Sequence, residues 1–266
     1  MARSIAVLTD LEGVAGVVSF AEQAFSDGKY HDGARKLLTA EVNAAVDGMR
    51  TVGVDDVLVI DAHGPGGIDF ESLHPEARLL HGRPLAPWAR LAPVLAKCDA
   101  AIIIGQHAMA GVLTGNLSHT QSSRTIEYYT LNGQPIGEIA QFALFCGALD
   151  VPVIFLSGDA DACREAEALI QGVVTAAVKE GLGRGCAISL SAVESRRLIG
   201  ERVALAVERH RSTPLAPLRW EAPYTLEIRY FFQEYADARM SQPGVERVDS
   251  RTVQLRGDDI QELIYR

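Results

Sequence analysis

Residues 5–13, IAVLTDLEG, begin with a short apolar run and end in two acids and a glycine. The run at 5–8 has the length and composition of a strand that is buried on both faces. The same pattern recurs at residues 57–60 before DAHGPGG, at 100–104 before GQH, and at 151–156 before SGD. Continuous apolar strands of this kind indicate a parallel or mixed sheet that is covered by helices on both faces.

Helical segments separate these strands. Residues 34–49 carry apolar side chains at helical spacing, and Gly53 closes the segment. Further helices are predicted at residues 137–149, 160–170, 191–209 and 258–265. The sequence therefore predicts an α/β fold of three layers, α/β/α, around a mixed and mostly parallel sheet.

A smaller α+β part is expected toward the C-terminus. Asn132-Gly133 lies between strand-forming residues, which is a strong hairpin signal. The tail adds strand-like segments at residues 224–232 and 251–255. The predicted units are an α/β domain at residues 1–190 and an α+β subdomain at residues 191–266, with a soft boundary between them.

Composition and charge exclude several classes of protein. The chain has 266 residues, a formal net charge of −9 and a pI of about 5.3, and no run of Lys and Arg exceeds two residues. Nucleic acid and anionic membrane surfaces are therefore not expected partners, because both require a basic face. No apolar run approaches the roughly 18–20 residues of a membrane helix, and residues 1–10 do not resemble a signal peptide. The four cysteines form no CxxC pair, which favours reduced thiols in a cytoplasmic protein.

Acids and histidines follow three of the predicted strands. Asp10 and Glu12 follow the first strand, Asp61 and His63 the second, and His107 the third. Ligands of open α/β sheets bind at the carboxyl ends of the strands. One strand that ends in an acid is common, whereas three strands that end in Asp, Glu or His favour a shared site.

Asp10 and Glu12 give the first indication of a metal ion. Alternate residues of an extended segment point the same way, so the two carboxylates are expected to converge. Like charges held close together are unfavourable unless a proton or a cation lies between them, and a divalent metal meets that need. His63 adds a neutral imidazole, and Asp61 is a candidate to fix its tautomer. Each residue alone also fits a solvated strand end or loop, and their joint occurrence favours the metal.

Two further residues are candidates for the site. Glu138 follows Gly137 in the first turn of a predicted helix, where the helix dipole alone would favour an acid. His119 lies in a polar loop and is either a general acid/base or a solvated residue. The cysteines are interpreted as core fillers. The remaining histidines are interpreted as surface or structural residues: His31, His74, His81 and His210.

Five motifs together resemble a known family. They are DLEGVAG at residues 10–16, DAH at 61–63, GQHAMAG at 105–111, LSHT at 117–120 and NGQPIGE at 132–138. In order and spacing they are similar to the zinc-dependent D-aminopeptidase family. The resemblance covers most of residues 1–180 and fades in the tail. It is specific for the family and less specific for the substrate.

The resemblance implies a two-zinc site with a role for each residue. Asp10 would bridge two zinc ions, which makes two per subunit. Glu12 and His63 would complete one site, and His107 and Glu138 would complete the other. Metal-assisted hydrolysis of an amide suits these residue types, and no serine or cysteine nucleophile is required.

The resemblance also implies the remaining chemistry and the partners. His119 would be the catalytic acid/base. The substrates would be short peptides with an N-terminal D-amino acid. The chain would assemble with itself into a homo-oligomeric ring, with a decamer as the candidate size.

Two departures from the family pattern concern the pocket and leave the ligands in place. Gln106 stands where an aromatic residue is more usual, and Thr9-Asp10-Leu11 is a variant of the usual start. One alternative is a dinuclear hydrolase of another amide or of an ester. A phosphoesterase would need basic groups near the metals, and only Arg124 adjoins the motifs. Another is a non-catalytic, ring-forming metal protein, although structural zinc sites are usually rich in cysteine.

Overall fold

The computed structural model describes residues 3–266. Met1 and Ala2, the first two residues of the segment that does not resemble a signal peptide, lie outside the described residues. The strands are β1 (Ser4–Thr9), β2 (Asp56–Asp61), β3 (Ala77–Leu80), β4 (Ala100–Gln106), β5 (Ile126–Leu131), β6 (Gln134–Ile136), β7 (Val153–Asp159), β8 (Val174–Gly183), β9 (Cys186–Ser189), β10 (Tyr224–Tyr230), β11 (Val245–Arg247) and β12 (Thr252–Gly257). The helices are α1 (His31–Thr51), α2 (Trp88–Leu95), α3 (Glu138–Ala148), α4 (Ala160–Leu169), α5 (Ala192–Ser212), α6 (Gln233–Arg239) and α7 (Ile260–Leu263). A π-helical turn at Phe20–Ala24 and a 3-10 turn at Phe70–Ser72 complete the regular structure of this part of the chain.

The larger sheet has seven strands in the order β3-β2-β1-β4-β7-β8-β9. All neighbours pair in parallel except β8 and β9, which are antiparallel. The predicted mixed, mostly parallel sheet is therefore confirmed. Thr9 at the end of β1 lies opposite Asp61 of β2 and Ile104 of β4, so the three segments that carry acids and histidines leave the sheet side by side.

The strands of this sheet are buried on both faces, as their apolar runs predict. In β1, Ile5 and Val7 face a core that is covered by α1 and α5. Ala6 and Leu8 face the opposite core, which contains side chains of α2, α3, α4 and α7. Because alternate side chains of β1 enter cores on opposite faces of the sheet, helices cover both faces, and the arrangement has the three layers α/β/α.

A second, antiparallel sheet packs into the core on the α3 side, with strand order β11-β12-β10-β5-β6. The hairpin between β5 and β6 turns at Asn132 and Gly133, whose φ angles are 52° and 76°. Positive φ at both positions is the backbone that a tight hairpin turn requires, and Asn-Gly adopts it readily.

The expected boundary near residue 190 falls between β9 and α5. Helix α5 packs against α1 and β8, while β10 pairs with β5, so residues on both sides of the boundary share layers. The division at 190 stays a prediction.

Two observations concern the cysteines and membranes. Cys98, Cys146 and Cys163 are buried, as expected of core fillers, but Cys186 is exposed at the start of edge strand β9, so the core interpretation is wrong for it. All four thiols are free. Within residues 3–266, no helix combines the length and the apolar character needed to cross a bilayer.

Candidate metal centre

Two glycines bring the loop after β1 against the end of β4. The main-chain amides of Asp10 and Gly13 donate to the carbonyls of Ile104 and Gly105 at 2.9 and 2.7 Å. A Cβ atom at Gly13 would lie 2.0 Å from the carbonyl oxygen of Gln106, and one at Gly105 would lie 2.1 Å from that of Asp10. Only glycine permits this approach. The close contact fixes Asp10 beside the segment that carries His107.

Asp10 lies between two histidines and faces each with a different carboxylate oxygen. Its Oδ1 is 3.2 Å from Nδ1 of His63, and its Oδ2 is 3.1 Å from Nε2 of His107. Glu12 Oε2 lies 3.0 Å from the same nitrogen of His63, and Glu138 Oε1 lies 3.5 Å from the same nitrogen of His107. The five predicted residues therefore come together as two groups that share Asp10.

The histidine rings are oriented by main-chain carbonyls. His63 Nε2 lies 2.9 Å from the carbonyl of Ala24, and His107 Nδ1 lies 2.9 Å from that of Ala108. A carbonyl only accepts hydrogen bonds, so these ring nitrogens donate, and the opposite nitrogens face the carboxylates. In the neutral rings those opposite nitrogens carry the lone pair that a metal ion requires.

Two atoms of the cluster lack partners in this part of the chain. With the neutral ring tautomers just described, the buried Glu12 Oε2 and His107 Nε2 face acceptor atoms at 3.0 and 3.1 Å and form no hydrogen bond with any described residue. A buried polar atom without a partner is costly, and a cation between these atoms would satisfy both. Carboxylate and imidazole are also ligands that suit zinc. The residues present therefore fit a metal pair.

The electrostatics of the cluster favour bound positive charge. Burial alone would raise the pKa of Asp10, but when the rings of His107 and His63 are protonated, their hydrogen bonds and charge lower it well below its usual range. Burial would lower the pKa of His107, but the negative charges of Glu138 and Asp10 raise it well above its usual range. Burial would also lower the pKa of His63, but the negative charge of Glu12 raises it well above its usual range. Three carboxylates in a buried site thus attract either protons or metal ions.

His119 belongs to this cluster although its sequence context is a polar loop. It is 9% exposed, and its ring stacks on that of His107 with centroids 3.9 Å apart. Its Nδ1 lies 2.9 Å from the carbonyl of Leu117, and its Nε2 lies 3.9 Å from Glu138 Oε1. His119, His107 and Glu138 could also hold one ion among them. The solvated alternative for His119 is wrong, and its acid/base role stays a prediction.

Asp61 does not orient His63, contrary to one expectation from the sequence. Its Oδ1 accepts from the amide of Gly67 at 2.8 Å and from Arg83 at 3.2 Å. Arg83 also donates to the main-chain carbonyl of His63. Asp61 and Arg83 therefore hold the loop that carries His63, while the ring itself is oriented by the carbonyl of Ala24.

Lys179 is a site residue that sequence reasoning missed. It lies on β8, is 3% exposed, and its Nζ donates to the carbonyls of Glu12 and Val17 and to Oδ1 of Asn116. These bonds join the Glu12 loop to the segment that leads to His119. A lysine within an apolar strand was the available signal, because a buried lysine requires several acceptors.

A cleft of about 410 Å³ opens onto the metal cluster. Asp10, Glu12, His63, His119 and Glu138 all line it. This volume lies within the range of small-molecule sites, about 300–1,000 Å³. A buried group of acids and histidines at the carboxyl ends of parallel strands, reached by such a cleft, is typical of a metal-dependent hydrolase.

Comparison with known proteins agrees with that class. The family model described as D-aminopeptidase, peptidase family M55, matches residues 4–266. A D-aminopeptidase of Bacillus subtilis (strain 168) is 31% identical over 260 residues, which is 95% of this chain and 91% of the relative. The solved structure of the Zn-dependent D-aminopeptidase DppA from Bacillus subtilis, described as a self-compartmentalizing protease, superposes with a TM-score of 0.90 at 29% identity, over 98% of this chain and 94% of that one. The chain belongs to the D-aminopeptidase family and is an enzyme of that class, as its motifs predict.

Proposed function

We propose that this enzyme removes N-terminal D-amino acids from short peptides and that it uses two zinc ions per chain. The observation that carries the proposal is the position of Asp10, whose two carboxylate oxygens each face a different histidine. A carboxylate in that position can bridge two ions. Agreement with the Zn-dependent relative over 98% of the chain supports zinc as the metal.

The proposed ligands divide into two sets. Glu12 and His63 complete one set, and His107 and Glu138 complete the other, with Asp10 common to both. When bound, zinc ions in these sets supply Lewis acidity, which activates water and polarises the scissile carbonyl.

His119 is placed to move the proton that hydrolysis requires. Burial, together with the charge of the neighbouring His107, lowers the pKa of His119, which favours the neutral ring. Nδ1 is committed to the carbonyl of Leu117, which leaves Nε2 free to take up a proton. We propose that Nε2 accepts a proton from the attacking water and then delivers it to the leaving amine.

The protein itself supplies the remaining requirements of the site. The burial of Asp10, Glu12 and His107 restricts the access of bulk water to the metal ligands, and the hydrogen bonds of the histidines to main-chain carbonyls hold the ligand atoms in place. Such preorganisation limits the rearrangement needed during the reaction.

We also propose that the enzyme is cytoplasmic and forms a homo-oligomeric ring, with a decamer as the candidate size. The free thiols fit a reducing compartment. The relative described as a self-compartmentalizing protease supports assembly. The mass of the particle in solution tests the subunit count.

The same ligands would also suit a dinuclear hydrolase of another amide or of an ester, and a direct assay separates these activities. We expect purified enzyme with zinc to hydrolyse D-Ala-D-Ala and to leave L-Ala-L-Ala essentially uncleaved. Loss of D-Ala-D-Ala hydrolysis on chelation, with recovery on adding zinc, would support the metal. Equal hydrolysis of both peptides, or none of either, would contradict the proposed substrate class.

A further inference from the structure

The cleft that opens onto the metal cluster is lined by one basic side chain that is not among the proposed metal ligands. Among the described residues that line the cleft, Arg124 is the single lysine or arginine. Its guanidinium lies 3.8 Å from the centroid of the Phe25 ring, and no carboxylate of the described chain pairs with it. A guanidinium on an aromatic face keeps its N–H groups free at the edge of its plane.

Arg124 and Phe25 are both attached to the metal cluster. Phe25 directly follows Ala24, whose carbonyl lies 2.9 Å from Nε2 of His63. Arg124 lies three residues after Gln121, whose amide donates to Oε1 of Glu138 at 2.7 Å. The segments that carry Phe25 and Arg124 are therefore each bonded, close to these residues, to a different proposed metal set. The contact between the guanidinium and the Phe25 ring joins the two segments.

The cleft has acidic side chains at the metal cluster and one basic side chain besides, a combination that complements the two charged ends of a free peptide. Acidic side chains gather at one place, where Asp10, Glu12 and Glu138 meet, and Arg124 supplies the opposite charge in the same cleft. A short unblocked peptide carries an ammonium group at one end and a carboxylate at the other. When the N-terminal residue lies at the metal cluster, the remainder extends along the cleft and its carboxylate needs a cation. Arginine binds carboxylates through two parallel N–H···O bonds.

We propose that Arg124 binds the free C-terminal carboxylate of the substrate, and that this contact makes the enzyme selective for very short, unblocked peptides. This inference rests on the proposed function, because it assumes that the N-terminal residue is cleaved at the metal cluster. Arg124 is a specificity residue and takes no part in the proton transfer assigned to His119.

The test compares D-Ala-D-Ala with its C-terminal amide, which has the same scissile bond but no carboxylate. For the wild-type enzyme, we expect kcat/KM to be about tenfold or more higher for the acid, which is the scale of one charge-assisted hydrogen-bond pair. Arg124→Ala should remove this preference, mainly by raising KM for the acid, and should change kcat/KM for the amide by less than about twofold. Arg124→Lys should keep part of the preference, because it retains the charge without the planar fork.

The matched control is Lys29→Ala. Lys29 is an exposed cation that lies over the Tyr30 ring at 5.1 Å, on the same segment as Phe25, and it does not line the cleft. It should leave the ratio of acid to amide unchanged. Equal hydrolysis of acid and amide by the wild type would overturn the inference and leave the proposed function intact, as would an equal loss for both substrates in Arg124→Ala. Arg124→Lys with no more preference than Arg124→Ala would also contradict it. Failure of the wild type to hydrolyse either D-peptide would overturn the proposed function, and this inference with it.

Discussion

Lys179 donates a hydrogen bond from its buried ammonium to the main-chain carbonyl of Glu12. The residues are 167 positions apart in sequence, and the bond joins strand β8 to the loop that follows β1. The same ammonium reaches Asn116 Oδ1 at 2.7 Å, so it also holds the segment that leads to His119. Lys179 thereby sets the spacing between a proposed metal ligand and the proposed proton carrier without touching either side chain.

Lys179→Met should weaken zinc binding by about 10–100-fold, the usual effect of losing a group that orients a ligand. The variant should also lose about 2–4 kcal/mol of stability, because buried acceptors are left without a donor. Competition with a chelator and urea unfolding measure the two effects. The control is Lys97→Met, which changes an exposed lysine. Unchanged zinc affinity in Lys179→Met would show that the Glu12 loop is held by other contacts.

Asp10→Ala should lose both zinc ions and activity together, because the proposed bridge contributes to both ligand sets. Elemental analysis of protein purified without chelator should give two zinc ions per wild-type chain and fewer than one in the variant. His81→Ala serves as control, since His81 is exposed and stacks on Phe70 away from the cluster. A wild-type stoichiometry of one, or an Asp10→Ala variant with full metal and turnover, would refute the bridge.

His119→Ala should keep both zinc ions and the fold but slow turnover by roughly 10²–10⁴-fold, the range for a positioned proton donor. The loss should appear in kcat, since the proton moves in the transition state. Zinc content and kcat are measured on one preparation. Loss of one zinc ion would instead make His119 a ligand with His107 and Glu138, a grouping that the geometry also permits.

Glu41→Gln should change how stability depends on pH. Burial raises the pKa of Glu41 to about 7, from an ordinary value of 4.5. Between these values the folded state holds a proton that the unfolded state has lost, so this residue makes stability fall as pH rises from about 4.5 to about 7. The variant should therefore gain stability relative to the wild type across that window, by about 2–4 kcal/mol at most at pH 8.

Urea unfolding of the wild type and of Glu41→Gln at pH 5 and pH 8 measures this difference. Glu71→Gln, which replaces an exposed glutamate outside the ion pairs of the described residues, serves as the control. A constant difference between Glu41→Gln and the wild type at both pH values would contradict the prediction.

Elements with a local signal could be predicted from the sequence. Strands β1, β2, β4 and β7 are confirmed because their apolar runs are uninterrupted, and the β5–β6 hairpin is confirmed because Asn132-Gly133 determines its turn. The long helices α1 and α5 were predicted a few residues shorter than they are, whereas α7 covers only Ile260–Leu263 of the predicted 258–265.

Elements that depend on tertiary contacts were missed. Strand β8 carries Lys179 within its apolar pattern, and helix α2 contains Pro93, so neither shows the usual signal. The grouping of Asp10, Glu12, His63 and His107 followed from strand ends, because neighbouring parallel strands end at one edge of a sheet. Glu138, at the start of α3, was added to them only by the resemblance to the family. The burial of His119 did not follow, since it arises from stacking on His107 and an edge contact with Phe20, both distant in sequence.

The β5–β6 hairpin makes the two proposed ions unequal. It runs directly into α3, so Glu138 is delivered by a sheet that β10 to β12 complete, whereas Glu12 and His63 come from loops of the larger sheet alone. Unfolding of the C-terminal strands would therefore weaken binding of the ion held by Glu138 and leave the ion held by Glu12 and His63 in place. The enzyme would then pass through a half-loaded state as denaturant rises, with activity lost before the larger sheet unfolds. The C-terminal tail contains none of the five motifs, and in this way it would determine how much denaturant the metal centre withstands.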